Sequence, residues 1–287
     1  MATITPGGSL TNVVEAEWAP TFKLQCNEEA RIYNTFDTPD GVSKIGNLLH
    51  ISKISRVAPT TGVAATHDGK SLTYTANTET DFTVAPSFAY GAVEITKMAE
   101  QRLLRMPNYK AGLRKQIVSG LVAAKDAAAG LLATSIGTAR GGIAQNFDKT
   151  FLLDGIGTLV ENCRDMYSPG TGKWAFLHIH PRQLKNILAI SEITNAQVRG
   201  DAEKPIRVGW VWEAYGLALS ESGNVYVTGG VAHNMLHIKE SHVYGLNADF
   251  GFLPEQPIEL ATRLIAFGEY GIAEQWDEYA VDMQTAA

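Results

Sequence analysis

Residues 107–134 read PNYKAGLRKQIVSGLVAAKDAAAGLLAT, and this segment predicts one long helix. Its apolar residues recur in steps of three and four, the period of a single helix face: Tyr109, Leu113, Ile117, Leu121, Ala124, Ala128 and Leu131. Pro107 suits the first helical position, where its missing N–H costs nothing. At 1.5 Å per residue the helix would be about 40 Å long, more than twice the usual length in globular domains. We expect it to be a structural core helix without chemistry of its own.

The other positions of this helix include charged residues and glycines. The charged residues are expected on its other faces: Lys110, Arg114, Lys115, Lys125 and Asp126. Each glycine in a helix interior costs roughly 1 kcal/mol relative to alanine. We expect the three interior glycines to let another element lie close to the helix: Gly112, Gly120 and Gly130.

The composition is that of an ordinary globular protein with an acidic balance. The chain has 287 residues, is 45% hydrophobic and 19% charged, and carries a formal net charge of −6. A protein that binds nucleic acid tightly normally shows a basic patch or a basic balance, and neither is visible here. Cys26 and Cys163 are too few for a disulfide framework, so both are expected to be reduced thiols. We expect neither a signal peptide nor a segment that spans a membrane.

The two segments before the helix are predicted to be extended and to lack a hydrophobic core of their own. Residues 1–43 are rich in Thr, Gly, Pro and Asn and are expected to form an arm that lies on a surface. Residues 44–85 predict a polar hairpin, with one strand near Ile51, a second near Tyr74 and turn residues between them. Because an isolated hairpin is only marginally stable, we expect this one to cross another part of the protein or a neighbouring copy.

The chain that follows the helix alternates between helices and strands. We expect helices at residues 151–167 and 180–190, strands at 173–179, 207–219 and 224–231, and a polar loop at 191–205. Pro257–Trp276 predicts a long strand with alternating faces, and Tyr279–Met283 predicts a last strand.

One pair of residues suggests chemistry. His178 and His180 lie on a predicted strand, so both side chains would point to the same face and could bind zinc or another divalent metal. A catalytic metal site needs a third ligand, and His237 and His242 are the available but arbitrary choices. Ordinary histidines at the end of a strand are the favoured explanation of the pair, and no other enzyme motif is found.

The order of these elements resembles the major capsid protein of a tailed bacteriophage, which has the Hong Kong 97-like fold, an α+β fold. The resemblance assigns five segments: an N-terminal arm (1–43), an extended loop (44–92), a peripheral domain with a spine helix (93–149), an axial domain (150–250) and a return to the peripheral domain (251–287). It rests on Lys44–Ala85 as the extended loop, Pro107–Thr134 as the spine helix, and Lys173–His180, Arg207–Ser220 and Asn224–Val231 as the axial strands. Pro257–Trp276 would form the returning strand.

The resemblance implies a structural protein that is neither an enzyme nor dependent on a cofactor. Hexamers and pentamers of the chain would tile an icosahedral shell around packaged double-stranded DNA, which the shell would not bind sequence-specifically. The implied partners are a separate scaffolding protein and a portal, with or without a decoration protein, and no membrane. The implied location is the virion capsid, assembled in the cytoplasm of the host bacterium.

Nine side chains of the arm and the extended loop are expected to contact neighbouring subunits: Trp18, Phe22, Ile51, Lys53, Ile54, Arg56, Lys70, Leu72 and Tyr74. In family members that crosslink themselves, a lysine of the loop joins an asparagine of a neighbour. Lys53 and Lys70 lie in this loop, but no motif surrounds them, so we expect a shell without covalent crosslinks.

Two alternatives remain open from the sequence. An encapsulin-type shell protein of a cellular nanocompartment shares the fold, but such shells tend to begin with a helix that takes part in cargo docking, and residues 1–25 do not have a helical pattern. A metal-dependent hydrolase that uses His178 and His180 is the more remote alternative.

Overall fold

The computed structural model of the protein describes residues 2–4, 31–38, 43–45, 48–54, 79–99, 109–163, 175–194, 213–253, 256–258 and 260–287. Within these ranges the predicted long helix is confirmed as α1 (Tyr109–Leu131), which a 3-10 turn (Leu132–Thr134) extends. Pro107 lies outside the described residues. Three further helices follow: α2 (Lys149–Cys163), α3 (Leu184–Leu188) and α4 (Ser191–Thr194). Because α4 begins at Ser191, the predicted loop at 191–205 is wrong at its start.

The strands before and just after α1 are β1 (Ala2–Ile4), β2 (Ser43–Ile45), β3 (Leu48–Ile54), β4 (Glu79–Val84), β5 (Ser87–Thr96) and β6 (Ala139–Gly141). Those of the middle part are β7 (Ala175–Ile179), β8 (Glu213–Ala214), β9 (Leu217–Glu221), β10 (Val227–Thr228) and β11 (Val231–Ile238). The last four are β12 (His242–Phe252), β13 (Gln256–Ile258), β14 (Ala261–Glu274) and β15 (Ala280–Ala286).

These strands form three sheets. The five-stranded sheet has the order β1-β5-β14-β12, with β13 also paired to β14. The seven-stranded sheet has the order β6-β15-β11-β7-β9-β8, with β10 also paired to β11. The small sheet, β2-β3-β4, pairs with neither of the larger two in the described ranges.

Helix α1 packs on one face of the five-stranded sheet. The two central strands, β5 and β14, pair antiparallel and alternate buried with more exposed residues, as expected for strands covered on one face. The core between helix and sheet consists of Ile95, Ala99, Ile117, Leu121, Leu264 and Ala266. Gly91 lies where a Cβ atom would come within 2.5 Å of the Ile117 side chain. The absence of a side chain at Gly91 therefore lets α1 approach β5 closely.

Helix α2 covers the seven-stranded sheet. Its residues Leu152 and Leu159 are fully buried, with Leu177 of β7, Leu217 of β9 and Leu236 of β11. The strands of this sheet carry runs of buried residues, such as residues 234–238 of β11, because elements cover both of its faces.

Three segments that predict single strands are hairpins in the structure. One of them, Pro257–Trp276, divides into β13 and β14, which pair antiparallel. The predicted strand at 207–219 turns at Tyr215 and Gly216, whose φ angles are 53° and 77°. The predicted strand at 224–231 turns at Gly229 and Gly230, with φ angles of 57° and 81°. Two consecutive positive φ angles are the geometry of the tight hairpin turn that matches strand twist. The Gly-Gly pair signals such a turn, whereas a tyrosine at positive φ is uncommon and gives no signal.

The described part of the extended loop contains two paired strands. Strand β3 pairs with β4, and Ile51 lies opposite Phe82. The predicted partner strand near Tyr74 lies outside the described residues. Strand β4 continues into β5 after only Ala85 and Pro86, so the small sheet and the five-stranded sheet share an almost continuous length of chain.

The division of the chain into peripheral and axial segments stays a prediction, and two strands lie on the other side of its boundaries. β12 falls mostly within the predicted axial segment (150–250), yet it pairs with β14 in the five-stranded sheet. β15 falls within the predicted return segment (251–287), yet it pairs with β11 in the seven-stranded sheet. The chain therefore crosses between the two sheets more often than the sequence predicts.

We expect the glycines of α1 to respond differently to alanine. A Cβ atom at Gly130 would collide with the main-chain oxygen of Asn224, whereas a Cβ atom at Gly120 would meet nothing within 4 Å. Gly130→Ala should lower the free energy of unfolding by roughly 1–3 kcal/mol, the usual cost of overpacking. Gly120→Ala should raise it by about 0.5–1 kcal/mol, because alanine favours the helix.

Thermal unfolding followed by circular dichroism measures both variants under identical conditions. Equal stability of Gly120→Ala and Gly130→Ala would contradict the close approach of the 222–225 loop to α1.

Candidate functional site

Residues 31–37, which we call the junction segment, lie between the two larger sheets. Its 3-10 turn, Tyr33–Thr35, is followed by Asp37, which forms a parallel bridge with Val243 of β12. Its apolar side chains are buried in one cluster with residues of α1, β11 and β12. The junction segment therefore contacts the five-stranded sheet through β12 and the seven-stranded sheet through β11.

The carboxylate of Asp126, on α1, binds the backbone of the junction segment. Its Oδ1 atom accepts three N–H groups: those of Arg31 (3.1 Å), Ile32 (2.8 Å) and Tyr33 (3.3 Å). Its Oδ2 atom accepts the hydroxyl of Ser222 (3.2 Å) and the side-chain amide of Asn224 (3.1 Å). The first three donors lie at the start of a 3-10 turn, where N–H groups have no partner within the turn itself. Asp126 thus joins α1, the junction segment and the loop after β9.

Lys125, the neighbour of Asp126, is also buried, with 3% of its surface exposed. Its ammonium group donates to the hydroxyl of Tyr244. It lies 3.9 Å from the ring centre of Tyr33, 4.2 Å from that of Tyr244 and 6.0 Å from that of Tyr270. Cation–π contacts of this kind offset part of the cost of removing the charge from water. Lys125 therefore connects α1 to the junction segment, β12 and β14.

The expected exposure of Lys125 and Asp126 is wrong. The helical period assigned both residues to the outer faces of α1 because it counts only apolar side chains as buried. In the structure the junction segment and the loop at 222–225 cover this part of the helix, and both charged groups find partners there. A sequence signal for this burial was available, because the two charged residues lie inside the most apolar stretch of the chain.

Three buried histidines lie on the other side of the junction segment. The Thr35 hydroxyl is 2.9 Å from Nε2 of His178 and 3.1 Å from Nε2 of His237. The rings of His178 and His237 stack with their centres 5.4 Å apart, and His242 stacks on Phe36 at 4.8 Å. His178, His237 and His242 come from β7, β11 and β12, so this cluster, which we call the histidine cluster, also contacts both sheets.

Burial keeps the histidine cluster neutral. It lowers the pKa of His237 to about 4, and it lowers the pKa values of His178 and His242 well below their usual value. The neighbouring histidines lower the pKa values of His178 and His242 further, because like charges repel. The junction segment also forms an ion pair with the turn after β11. Oδ1 of Asp37 lies 3.6 Å from Nζ of Lys239.

The structure gives His178 and His180 separate roles rather than a shared metal site. Nδ1 of His178 is 2.5 Å from the Ser220 hydroxyl and its Nε2 contacts Thr35, so both ring nitrogens have partners. His180 lies after β7, and its Nδ1 accepts the N–H of Arg182 at the start of a 3-10 turn. In the described part of the chain, no three His, Cys, Asp or Glu residues are placed to hold a metal ion. The hydrolase hypothesis gains no support from these contacts.

By length and hydropathy, α1 with its 3-10 extension could also cross a membrane. Both charged residues at its centre are instead buried against groups of this chain, and β5 and β14 cover one of its faces. These contacts are those of a core helix.

No protein-family model matches the chain, and no curated protein matches it. Solved structures do match the chain. A structure from Mycobacterium phage Che8 has a TM-score of 0.71 at 17% identity, covering 93% of this chain and 96% of that one. The capsid of cyanophage P-SCSP1u has a TM-score of 0.71 at 11% identity, covering 96% and 94%. The mature capsid of bacteriophage PhiM1 has a TM-score of 0.69 at 11% identity, covering 94% and 90%.

The chain has a phage capsid fold. The α+β architecture predicted from the order of the elements is therefore confirmed. Coverage of at least 90% in both directions means that nearly the whole length of each chain takes part in the shared fold.

The capsid fold leaves the predicted inter-subunit contacts untested. Ile51, Lys53 and Ile54 lie in β3 of the small sheet, opposite residues of β4. The other six lie outside the described residues: Trp18, Phe22, Arg56, Lys70, Leu72 and Tyr74. The structure brings together the junction segment and the histidine cluster instead. The sequence analysis did not predict either one, and it considered His237 and His242 only as arbitrary metal ligands.

We expect Asp126→Ala to destabilise the protein strongly, by about 3–5 kcal/mol. Removing one partner of a buried charged network leaves its donors unsatisfied. Asp154→Ala is the matched control, because Asp154 is mostly exposed and its one described ion pair, with Arg140, is 3.8 Å long. The control should change stability by no more than about 1 kcal/mol.

Chemical denaturation followed by tryptophan fluorescence gives both values. In addition, limited proteolysis should cut Asp126→Ala near the junction segment first. Equal stability of the two variants would show that the Asp126 contacts are not needed for folding.

Acid should destabilise the protein through the histidine cluster. The folded-state pKa values of these histidines are lowered, so between pH 6.5 and about 4 the unfolded chain binds protons that the folded chain does not. Their contribution to stability is complete above pH 6.5 and is lost as the pH falls, by up to about 1.4 kcal/mol per pH unit for each histidine. The raised pKa of Asp282 acts in the opposite direction, because the folded state then binds that proton first.

The measurement is the free energy of unfolding at steps between pH 7.5 and pH 5. His242→Phe should keep the stacking with Phe36 and reduce the slope by about one third, since three similar groups share it. A slope that does not change in His242→Phe would exclude the cluster as its source.

Proposed function

We propose that this chain is the major subunit of a tailed-phage capsid, many copies of which form the icosahedral shell around packaged DNA. The observation that carries the proposal is the similarity to capsid structures over nearly the whole of both chains. The same proposal includes hexamers and pentamers of the chain, a separate scaffolding protein, a portal and the option of a decoration protein. It also includes a non-enzymatic role, a location in the virion, and assembly in the cytoplasm of the host bacterium.

The acidic charge is compatible with an enclosed but unbound genome. At a net charge of −6 the chain does not favour contact with phosphate groups. Such a wall holds DNA by enclosing it rather than by attracting it, and it avoids binding nucleic acid non-specifically during assembly.

Assembly is tested by expressing the chain in bacteria, alone and with the scaffolding protein from the same genome. We expect closed shells of uniform diameter in negative-stain electron microscopy, or capsomers of five and six copies in light scattering. A stable 31.0 kDa monomer at high concentration under both conditions would overturn the proposal.

We further expect that shortening the extended loop stops shell formation without unfolding the subunit. The small sheet pairs with neither large sheet in the ranges that the structure describes, so removing the far end of the loop should leave the strand pairing of both large sheets in place. The variant replaces Ala58–Ser71 with a short Gly-Ser turn. It should keep the helical circular dichroism signal and lose particle yield. Normal shells from this variant would contradict the role of the loop between subunits, and a lost helical signal would show that the loop stabilises its own subunit.

A further inference from the structure

The face of the five-stranded sheet opposite α1 carries a group of aromatic side chains that nothing in the proposed function assigns. Phe88 and Tyr90 of β5 are 60% and 66% exposed. Their ring centres are 5.9 Å apart, and the ring of Phe267 on β14 is 6.2 Å from that of Phe88. Tyr90 lies directly opposite Phe267 in the strand register. We call these three residues the aromatic patch.

The aromatic patch is not part of the core. Residues of β5 and β14 that alternate with it, such as Ile95 and Leu264, are buried beneath α1. Because strand side chains alternate between the two faces of a sheet, the patch lies on the opposite face. Large aromatic side chains that are exposed together, rather than singly, are typical of the centre of a protein–protein interface.

The charges around the patch argue against an anionic partner. The described strands of the five-stranded sheet contain no lysine and a single arginine, Arg263. Its guanidinium is 2.9 Å from the carboxylate of Glu94, so it is already paired. Glu269, opposite Phe88 in the register, adds a negative charge at the other end. A nucleic acid or an anionic lipid surface would need unpaired cations at this position.

Two observations favour a second copy of this chain as the occupant. The proposed shell contains many copies of this chain, and solved structures that the chain resembles over at least 90% of both lengths are capsids. In addition, the patch begins two residues after Pro86, where β4 of the small sheet passes into β5. A surface at the root of the loop that is expected to cross a neighbour lies where that neighbour would come closest.

We propose that the aromatic patch of Phe88, Tyr90 and Phe267 is a contact surface for a second copy of this chain within the shell. This inference rests on the proposed function and specifies one of its contact surfaces. The patch supplies the apolar centre of the contact, and the Arg263–Glu94 pair and Glu269 form its polar rim, the usual arrangement in protein interfaces.

The first test is the double variant Phe88→Thr/Tyr90→Thr, which keeps residues suited to a strand at both positions. It should fold like the unmodified chain by circular dichroism and reduce the yield of particles at least tenfold in sedimentation. Leu260→Thr is the matched control, because Leu260 is 78% exposed at the turn before β14 in the same sheet. The control should assemble normally.

Three outcomes of this test are decisive. If the double variant assembles as well as the unmodified chain, or if Leu260→Thr reduces the yield as much, the inference is overturned while the proposed function stands. If the unmodified chain itself forms no particles, the proposed function fails and the inference fails with it. Should the double variant lose its circular dichroism signal, the patch stabilises its own subunit, which also overturns the inference.

A second measurement identifies the occupant directly. A photo-crosslinking benzophenone amino acid replaces Phe88, and assembled particles are irradiated. The expected product is a covalent dimer of twice 31.0 kDa, with peptides from this chain alone. A product that contains a co-expressed scaffolding or decoration protein instead would assign the patch to that protein and overturn the inference.

Discussion

One buried carboxylate joins the segment between the two large sheets to α1 and to the loop after β9. Asp126 accepts five hydrogen bonds, three of them from the backbone of the junction segment and two from the loop after β9. Removing a carboxylate from water costs several kcal/mol, and hydrogen bonds to a charged acceptor contribute about 1.5–3 kcal/mol each. The site is therefore stable only while most donors are in place. The position of the junction segment, and with it the start of the chain that leads to the small sheet, depends on this one side chain.

The histidine cluster adds a second condition to the same region. It lies beneath Thr35 and Phe36, and it is compatible with the fold only while its rings are neutral. Asp126 stabilises one side of the junction segment by a charge, and the histidines stabilise the other side without one. Acid therefore acts on the histidine side of the junction segment, because protonation there would place charge among buried rings.

Local patterns predicted the parts of this fold that depend on local interactions. The period of α1 and the alternation in β14 are properties of neighbouring residues, and both were predicted close to their observed bounds. The burial of Lys125 and Asp126 depends on chain more than ninety residues away in sequence, so no period could indicate it. The turn at Tyr215 was missed because its conformation is set by strand pairing rather than by a glycine. The aromatic patch was missed because Phe88 and Tyr90 were assigned to the extended loop, and the face of β5 that α1 covers is known only from the packing of the helix on the sheet.

The route of the chain between the sheets has a mechanical consequence. The backbone passes from one large sheet to the other after α1, again in the turn at Lys239–Ser241 and a third time at Asp277–Tyr279. A body joined by one connection can swing about it, but a body joined by three at separate points can only flex as a whole. In the shell that we propose, outward pressure on the wall would therefore be divided among these three lengths of backbone, and no single crossing would act as a hinge.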